Sequence, residues 1–543
     1  MRTVIVLYLV ALVARVAAGL LFAGPAYTDS FYYVDVARQL AAGHGLSVPF
    51  IWAFLEVGGH IPVHGLLPVP SDAHWLPLAS LVQVPFIWLL GPTDLASQLP
   101  FWIIGATLAP LTWAIGRDAG LPAWVCAGGA VLMAVPGGFT AFLSQPDNFA
   151  LYGPLGAGAL WACARGLRGD RRAFVSGGLL VGLASLARND GILLGVPFAL
   201  AFLFERWRGL RRGGGIRAAG SIGWGAAVGC FVLFLVVMTP WWARQLSTFG
   251  ALLPSAATGR LLWITDYSQT FSVTGSPTLA TFLGQGLGPL VASRLLGLVA
   301  VVGLFAYLPF GVVLAPFFAI GIWITRRDPA FAPWLIYALT LLASSSLLFA
   351  LQVPSGNFIH SAIALVPQAY LLMLLGLGSA VAWAARHRPA WRVESARRVF
   401  TGGAVALVAL FALGSTAQSV AGWRAYRAGL APIAGRLVTL PAADVVLSSD
   451  PAGLWYLAGR PGIVTPSDPL PVVEQAARAY GARWLVLDRT SIVPSLAPVL
   501  AGDLRPAWLS APVLTVPQAA DVGGPPAASL YAVCLSPEDP RCG

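Results

Sequence analysis

Long apolar runs separated by short polar loops make up most of the chain, from its first residues to about residue 420. A run of about twenty apolar residues is long enough to cross the hydrocarbon core of a bilayer as a helix. The pattern therefore predicts a polytopic membrane protein with about eleven transmembrane helices. The predicted spans lie near residues 3–22, 94–115, 121–140, 147–164, 173–187, 190–204, 220–239, 296–322, 331–350, 361–384 and 400–420.

Five of the loops between these runs are rich in arginine: GRDAG, RGLRGDRR, ERWRGLRRGGGIR, TRRDP and RHRPAWRVESARR. Because loops rich in positive charge stay in the cytoplasm, they predict the orientation of every span in a cell membrane. All five arginine-rich loops fall on the cytoplasmic side only if Leu76–Leu90, which is also apolar, forms a re-entrant or interfacial helix instead of crossing the membrane. The N-terminus is then cytoplasmic, and residues 421–543 lie outside the cytoplasm.

Three longer polar segments fall on the outer side in this arrangement: residues 23–93, 240–295 and 421–543. The last contains DVVLSSD and RWLVLD, which are typical of strands, and EQAARAYGA, which is typical of a helix. The predicted fold class is an all-α polytopic membrane domain of residues 1–420 with a small extracytoplasmic α/β domain of residues 421–543 that ends in a loosely ordered tail. The first long loop is predicted to hold surface and re-entrant helices.

Composition agrees with a chain whose main solvent is lipid. Of the 543 residues, 57% are hydrophobic and only 10% are charged, whereas soluble domains have about 25% charged residues. The net charge is +11 and there is no lysine, but the arginines lie in loops between spans, which argues against nucleic-acid binding. Cys534 and Cys542 are close enough in sequence to form a disulfide in an oxidising compartment, and no CxxC pair indicates a zinc or redox motif.

Asp29 directly follows the first span, in the segment YTDSFYYVDVARQLAAGHGL. Apolar residues at helical spacing, among them Phe31, Val34 and Leu40, predict a helix that lies on the membrane surface. The Asp29 carboxylate is either the N-cap of this helix or a general base at the mouth of the bundle, where it can accept a proton from an attacking hydroxyl.

Two further acidic residues stand where predicted spans meet the outer side. Asp147, in SQPDNFALY, either caps its helix or joins Asp29 as a second carboxylate that binds a metal or a sugar hydroxyl. Asp190 follows Arg188 in LARNDG, where the two form a local ion pair in a turn or Arg188 holds a phosphate.

Histidines in the first long loop allow a metal site, and they are His44, His60, His64 and His74. The spacing of His60 and His64, and of Asp72 and His74, suits a divalent metal such as zinc or manganese. No HExxH motif or cysteine ligand accompanies them, so solvated loop histidines are the alternative.

Three more cationic or titratable residues lie in the remaining outer loops, namely Arg244, Arg260 and His360. Each either contacts an anionic group of a ligand or anchors the chain at the membrane interface.

Several segments, in this order along the chain, resemble the GT-C glycosyltransferases. They are D-SFYYVDVARQLAAGHGL, HWLPLASLVQVPFIWLLG, DLASQLPFWIIGATLAPLTWAIGRDAGL and SQPDNFALYGPLGAGALW, and LARNDGILL also fits. The most similar branch is the protein mannosyltransferase and aminoarabinose transferase group. The resemblance covers residues 1–205 by sequence and the rest of the chain by architecture.

The resemblance implies a polyprenyl-phosphate-linked monosaccharide as donor and a lipid, glycan or protein acceptor on the outer face of the membrane. Asp29 matches the catalytic aspartate of the family's first loop, and Asp147 matches its second acidic residue. The segment HWLPL, which begins at His74, is similar to the family's H-PL element, with Trp and Leu where proline is usual. Ser30 stands where many members carry glutamate.

The mechanism implied by the resemblance is a single displacement with inversion, in which Asp29 deprotonates the acceptor and Asp147 is the second catalytic carboxylate. Cationic groups then stabilise the leaving phosphate. The predicted phosphate-binding residues are Arg188, Arg244, Arg260 and His360. The predicted substrate pocket includes Tyr32, Tyr33, Asp72, His74 and Asp190, and a divalent metal is a further candidate ligand.

Other classes of protein stay open at this point. A transporter or flippase of lipid-linked glycans would show paired, broken helices in two related halves, and the sequence has no such halves. A non-catalytic scaffold would leave the acidic cluster of the first loop unexplained. A polymerase or ligase of surface glycans differs mainly in the size of its donor.

Overall fold

The computed structural model describes residues 1–211, 222–257, 261–275, 277–349, 354–388, 390–517 and 526–536. Within these ranges, helices dominate from Arg2 to Val438, and a mixed sheet forms in the C-terminal segment. The predictions for Arg260, for Cys542 and for the end of the tail fall on positions outside the described residues.

One long helix and a series of short elements form the N-terminal part. The long helix, α1, is Arg2–Leu20. The short elements of the first loop are α2 (Thr28–Ala41), β1 (Ser47–Val48), β2 (Phe50–Ile51), β3 (Val69–Pro70), α3 (Leu78–Leu81) and α4 (Val84–Leu90). At 1.5 Å per residue, the apolar stretch Leu78–Leu90 rises only about 20 Å, which is too short to cross a hydrocarbon core of about 30 Å.

The helices of the bundle follow the predicted apolar runs. Its first half contains α5 (Asp94–Ala106), α6 (Leu108–Asp118), α7 (Ala123–Ala134), α8 (Phe139–Phe142), α9 (Phe149–Leu167), α10 (Arg171–Ala187), α11 (Gly195–Arg211) and α12 (Trp224–Phe249). Its second half contains α13 (Pro254–Ala257), α14 (Leu279–Leu283), α15 (Leu287–Tyr307), α16 (Ala315–Thr325), α17 (Ala332–Ala343), α18 (Pro354–Ala362), α19 (Val366–Arg386) and α20 (Val393–Val438).

Among the described residues, six helical segments are long and apolar enough to cross a membrane. They are Arg2–Leu20, Asp94–Asp118, Trp224–Phe249, Leu287–Tyr307, Gly356–Arg386 and Val393–Val438. The span predicted near residues 296–322 is broken into α15 and α16 by a turn in which Gly311 and Val312 both have positive φ angles. The predicted total of about eleven spans stays a prediction.

Helix α9 separates the two ends of the bundle. Asp147 lies just before its first residue, and Arg168 follows its last residue and bonds to the carbonyl of Asp118 in another arginine-rich loop. The 19 residues of α9 rise about 28 Å, close to the thickness of a hydrocarbon core. These two arginine-rich loops and Asp147 therefore lie at opposite ends of this helix.

The C-terminal segment folds around one sheet. Its elements are β4 (Val445–Ser448), α21 (Pro451–Ala458), β5 (Gly462–Val464), α22 (Leu470–Ala479), β6 (Ala482–Asp488), α23 (Ala497–Ala501), β7 (Leu509–Val516) and β8 (Ala528–Val533). The strand order is β2-β5-β4-β6-β8-β7. Strands β2, β5, β4 and β6 pair in parallel, and β8 pairs antiparallel with both of its neighbours, β6 and β7. The predicted fold class, a helical membrane bundle with a small α/β region, is confirmed.

Two features tie this sheet to the rest of the chain. Strand β2 comes from the first loop, where Phe50 and Ile51 pair with Gly462 and Ile463 of β5. Helix α20 runs through the domain boundary predicted at residue 421 without interruption, and its 46 residues extend about 69 Å. The first loop, the bundle and the C-terminal segment are therefore physically continuous. Cys534 is disulfide-bonded.

Helix α2 is buried instead of lying on the membrane surface as predicted. Residues 30–37 of α2 are all buried. The Phe31 ring packs against Tyr456 of α21 with 5.2 Å between ring centroids, and the Tyr33 hydroxyl accepts a hydrogen bond from Asn148. An apolar helix face fits a protein interior as well as a lipid surface, and here the C-terminal segment covers it.

Helices α16 and α19 pack closely enough to require glycine. A Cβ atom added at Gly376 would lie 1.8 Å from the carbonyl oxygen of Phe317, and one added at Gly321 would lie 1.9 Å from that of Leu372. Small residues of this kind allow membrane helices to approach each other and gain van der Waals contact.

Gly376→Ala should therefore force α16 and α19 apart and lower the free energy of unfolding by about 1–3 kcal/mol. Gly403→Ala is the matched control, because it makes the same substitution in a helix with no atom within 4 Å of the added Cβ. Thermal unfolding of the detergent-purified variants measures the difference. Equal melting temperatures for the two variants would contradict the packing argument.

Candidate active site

Asp29 lies in the first turn of α2 and takes no part in capping that helix. The N-cap is Tyr27, and the Ser30 hydroxyl accepts hydrogen bonds from the backbone N–H groups of Ala26 and Tyr27 at 2.8 and 3.0 Å. The N-cap alternative for Asp29 is therefore wrong. Its side chain keeps 30% of its surface exposed and makes no hydrogen bond within the described part of the chain.

Asp147 lies beside Asp29 but in a different environment. Its side chain is fully buried, and its Oδ2 atom accepts a hydrogen bond of 2.7 Å from the Tyr27 hydroxyl. Its Oδ1 atom accepts the backbone N–H of Asn148 at 2.6 Å. This bond closes the turn before α9, whose N-cap residue is Asn148. Asp147 is therefore held in place by donors from two segments.

His360 lies between the two carboxylates. Its Nε2 atom is 3.2 Å from Asp147 Oδ2 and 3.8 Å from Asp29 Oδ2, and the ring stacks on Phe149 with 4.1 Å between centroids. Its Nδ1 atom faces the Gly356 carbonyl oxygen. Because both ring nitrogens face oxygen acceptors, only the doubly protonated imidazolium can donate to both. The structure thus places this histidine with the catalytic carboxylate candidates.

Arg188 lies next to these three side chains and contacts Ser361, the residue that follows His360. Its Nε atom donates to Asp190 Oδ1 at 2.9 Å and to the Ser361 hydroxyl at 3.0 Å, and its Nη2 atom donates to the Asn357 carbonyl at 3.2 Å. The Ser361 hydroxyl in turn donates to Asp190. The local ion pair foreseen for this hairpin exists, and among the described residues Arg188 Nη1 has no hydrogen-bond partner.

The surroundings of Asp29 make it a stronger base than an ordinary carboxylate. Burial, and then the nearby charge of Asp147, raise the pKa of Asp29 to about 6, although His360 and Arg188 oppose the shift. At neutral pH this carboxyl is mostly ionised and still able to accept a proton. The arrangement is suited to deprotonating a hydroxyl group brought against it.

The same three side chains can also hold a divalent cation. Asp29, Asp147 and His360 each offer one ligand atom, and these atoms lie within 4.8 Å of one another. Two carboxylate oxygens and an imidazole nitrogen suit zinc or manganese. Among the described residues this is the single group of this kind, and none of the first-loop histidines belongs to it.

Tyr32 and Asp72 belong to a second cluster instead of facing Asp29. The Tyr32 hydroxyl accepts the Asp72 backbone N–H at 2.7 Å and donates to Glu56 at 3.4 Å, while the Ser71 hydroxyl donates to Asp72 Oδ2 at 2.5 Å. Gln245 donates to the Asp72 carbonyl at 2.8 Å. Burial raises the pKa of Glu56 to about 8 and that of Asp72 to about 6. This network fastens the first loop to α12.

His74 and Arg244 border the second cluster. His74 stacks on Trp52 with 5.3 Å between centroids, and burial followed by the charge of Arg188 lowers the pKa of His74 to about 4. Arg244 donates to the Leu46 carbonyl at 3.3 Å and lines an open groove of about 500 Å³ together with Ser47 and neighbouring residues. Its position does not coincide with that of Arg188.

Three residues of the site are absent from the predictions made from the sequence. Tyr27 precedes Asp29 by two positions, and an aromatic hydroxyl so near an acidic residue was a usable signal. Asn357 and Ser361 flank His360 without any pattern that marks them as polar partners of Arg188.

Solved structures with the same overall arrangement identify the fold. ArnT from Cupriavidus metallidurans bound to undecaprenyl phosphate is 16% identical over 97% of each chain, with a TM-score of 0.56. The same protein in the apo state is 15% identical over 97% of each chain, with a TM-score of 0.57. The Archaeoglobus fulgidus oligosaccharyltransferase in the apo form is 12% identical, with a TM-score of 0.45 over 89% of this chain and 69% of that chain.

The likeness to ArnT extends over nearly the whole of both chains, so this chain has the GT-C fold, and the resemblance described from the sequence is confirmed at that level. No family model and no curated protein sequence matches the chain.

Replacing His360 should destabilise the chain in a pH-dependent way. His360→Gln removes the imidazole that lies between Asp147 and Asp29, and the loss of its hydrogen bond should cost about 1–3 kcal/mol at pH 8. Because the pKa of Asp29 is raised to about 6, protonation of Asp29 relieves the repulsion as the pH falls through this value. The deficit in melting temperature should therefore be smaller at pH 5 than at pH 8.

His387→Gln is the control for this series, since His387 lies near an exposed helix end and contacts the carbonyl and the ring of Trp383. Melting curves of wild type and both variants from pH 5 to pH 8 provide the measurement. A deficit for His360→Gln that does not change with pH would show that the imidazole fills space without balancing charge.

Proposed function

We propose that this chain is an inverting glycosyltransferase that moves a monosaccharide from a polyprenyl-phosphate donor to an acceptor on the outer face of the membrane. The main observation in support is Asp29, a partly exposed carboxylate with a raised pKa that takes no hydrogen bond from any described residue. It lies beside Asp147, His360 and Arg188. The GT-C fold supports the same proposal, because ArnT, which has this fold, was solved with undecaprenyl phosphate bound.

The reaction is a single displacement at the anomeric carbon of the donor sugar. Asp29 accepts the proton of the acceptor hydroxyl, and the acceptor oxygen forms a bond to the anomeric carbon as the bond to the phosphate oxygen breaks. Both electrons of the broken bond leave with the polyprenyl phosphate, and the anomeric configuration inverts. A lipid phosphate is a good leaving group, so its departure requires stabilisation of charge more than a general acid.

Asp147 has a different role from Asp29 in this proposal. It is fully buried and accepts hydrogen bonds from Tyr27 and Asn148, which stabilise its charged form and make it a weak base. Its contribution is to hold His360 and to raise the proton affinity of Asp29 by repulsion. A divalent cation held by these side chains would supply further positive charge against the leaving phosphate.

Arg188 is the proposed contact of the leaving phosphate. It lies close enough to Asp29 to lower the pKa of that carboxyl, and its Nη1 atom keeps a donor that the described residues do not use. Arg244 lines the separate groove, so these two of the three predicted phosphate-binding arginines have different surroundings. A guanidinium with a spare donor can bind a phosphate oxygen as charge develops on it.

Asp29→Asn should lower turnover by about 10²–10⁴-fold, which is the contribution of a well-placed general base. The assay uses protein in lipid nanodiscs with radiolabelled undecaprenyl-phosphate sugars and a membrane extract as acceptor. Glu394→Gln, which removes a carboxylate whose side chain is 83% exposed, is the control and should retain wild-type turnover.

Mass spectrometry of envelope lipids and glycans from cells that carry the wild-type or Asp29→Asn gene then identifies the product. Wild-type turnover by Asp29→Asn, or identical envelopes in the two strains, would contradict the proposed function.

Arg188→Ala should lower kcat/KM for the donor by about 10–100-fold, the value of a lost hydrogen bond to a charged group. The substitution also leaves Asp190 without its ion-pair partner, so the matched variant is Arg188→Ala with Asp190→Asn. If Arg188 contacts the phosphate, the double variant stays as defective as the single one.

Recovery of activity in the double variant would show instead that the unpaired Asp190 caused the loss. Arg244→Ala, measured in the same assay, should change kcat/KM for the donor much less than Arg188→Ala. The reverse order would move the phosphate contact to the Arg244 groove.

A further inference from the structure

Asp450 joins the C-terminal segment to the helix that carries Asp29. It follows strand β4 and caps α21, where its Oδ1 atom accepts the Gly453 backbone N–H at 3.1 Å. Its Oδ2 atom accepts a hydrogen bond of 2.6 Å from the Tyr426 hydroxyl of α20, and the Thr28 side chain provides another. One buried carboxylate thus connects α20, α21 and the first residue of α2.

Packing around this junction is tight. A Cβ atom added at Gly453 would lie 2.5 Å from Asp450 Oδ2 and 3.4 Å from a ring atom of Phe31 in α2. The ring of Phe31 also lies against the ring of Tyr456 in α21, with 5.2 Å between the ring centroids. Helices α2 and α21 are therefore in direct contact on the side next to Asp450.

The position of Asp29 depends on its backbone. Its side chain has no hydrogen bond to a described residue, and its Oδ2 atom lies 3.8 Å from His360 Nε2. The first turn of α2 alone then sets where the carboxylate lies, and Thr28 is the neighbouring residue of that turn. Catalytic groups lose much of their effect when they move by about 1 Å.

We propose that Asp450 is a positioning residue that holds the first turn of α2 against the C-terminal segment and so keeps Asp29 facing Asp147 and His360. This inference rests on the proposed function and deepens it, because it gives the C-terminal segment a part in the reaction. The simpler alternative is that Asp450 only caps α21 and contributes to stability there.

Hydrogen exchange measured by mass spectrometry tests the structural half of the proposal without any need for turnover. Asp450→Asn and Tyr426→Phe should each speed exchange of the α2 amides by about tenfold. Asp444→Asn is the matched control, because Asp444 also accepts a hydrogen bond from an aromatic residue of the same segment, Trp484, at 2.8 Å. It should leave exchange in α2 unchanged.

Kinetics test the functional half. Asp450→Asn should lower kcat by about tenfold with KM for the donor within about threefold of wild type. In the Asp29→Asn background, the same change should alter the residual rate by less than about twofold, because residues that act through one another are non-additive. A loss of stability alone would reduce both backgrounds by the same factor.

Each outcome decides a separate point. Unchanged hydrogen exchange of α2 in both Asp450→Asn and Tyr426→Phe overturns the proposal. The proposal is also overturned if Asp450→Asn lowers the residual rate of the Asp29→Asn variant by the same factor as it lowers the wild-type rate. If Asp29→Asn itself turns over like wild type, the proposed function fails, while the exchange data still show whether Asp450 holds α2.

Discussion

Two carboxylates on either side of one imidazole impose the main electrostatic requirement on this molecule. Asp147 is fully buried and Asp29 is mostly covered, and His360 Nε2 lies 3.2 and 3.8 Å from them. Removing a charge from water costs several kcal/mol unless an opposite charge lies close by. The three side chains must therefore come together as a unit, and this fixes the relative positions of the three chain segments that carry them.

The rest of the architecture can be understood as the framework for that unit. Asp147 precedes α9, and His360 lies in α18, which leads into α19 and so to its close contact with α16 at Gly376 and Gly321. Helix α2 lies on the other side and is covered by the C-terminal segment. That segment is in turn fixed by α20 and by strand β2 of the first loop.

Sequence patterns were sufficient for the features that are local. The apolar runs predict the bundle, and the acidic residues at the ends of those runs mark Asp29 and Asp147 as candidates. The position of His360 was not predictable, because its partners come from two segments far away in the chain. The pairing of Phe50 with Gly462 was not predictable either, since a strand of two residues has no periodicity to detect. The apolar face of α2 predicted a helix in contact with something apolar, but an amphipathic pattern does not distinguish lipid from a covering protein segment.

The hydrogen-bond donors around the acidic residues near the site distinguish Asp29 from Asp147. Asp147 accepts from Tyr27, Asp72 from Ser71, Asp190 from Arg188, and Asp450 from Tyr426, whereas Asp29 accepts from none of the described residues. Each donor stabilises the charged form of its acid and weakens it as a base. A carboxylate that is covered but without donors keeps its affinity for a proton and leaves its lone pairs free for a substrate. For this reason the proposed function gives the proton-accepting role to Asp29, while the acids that carry donors are better suited to holding it, and the groups that face it, in place.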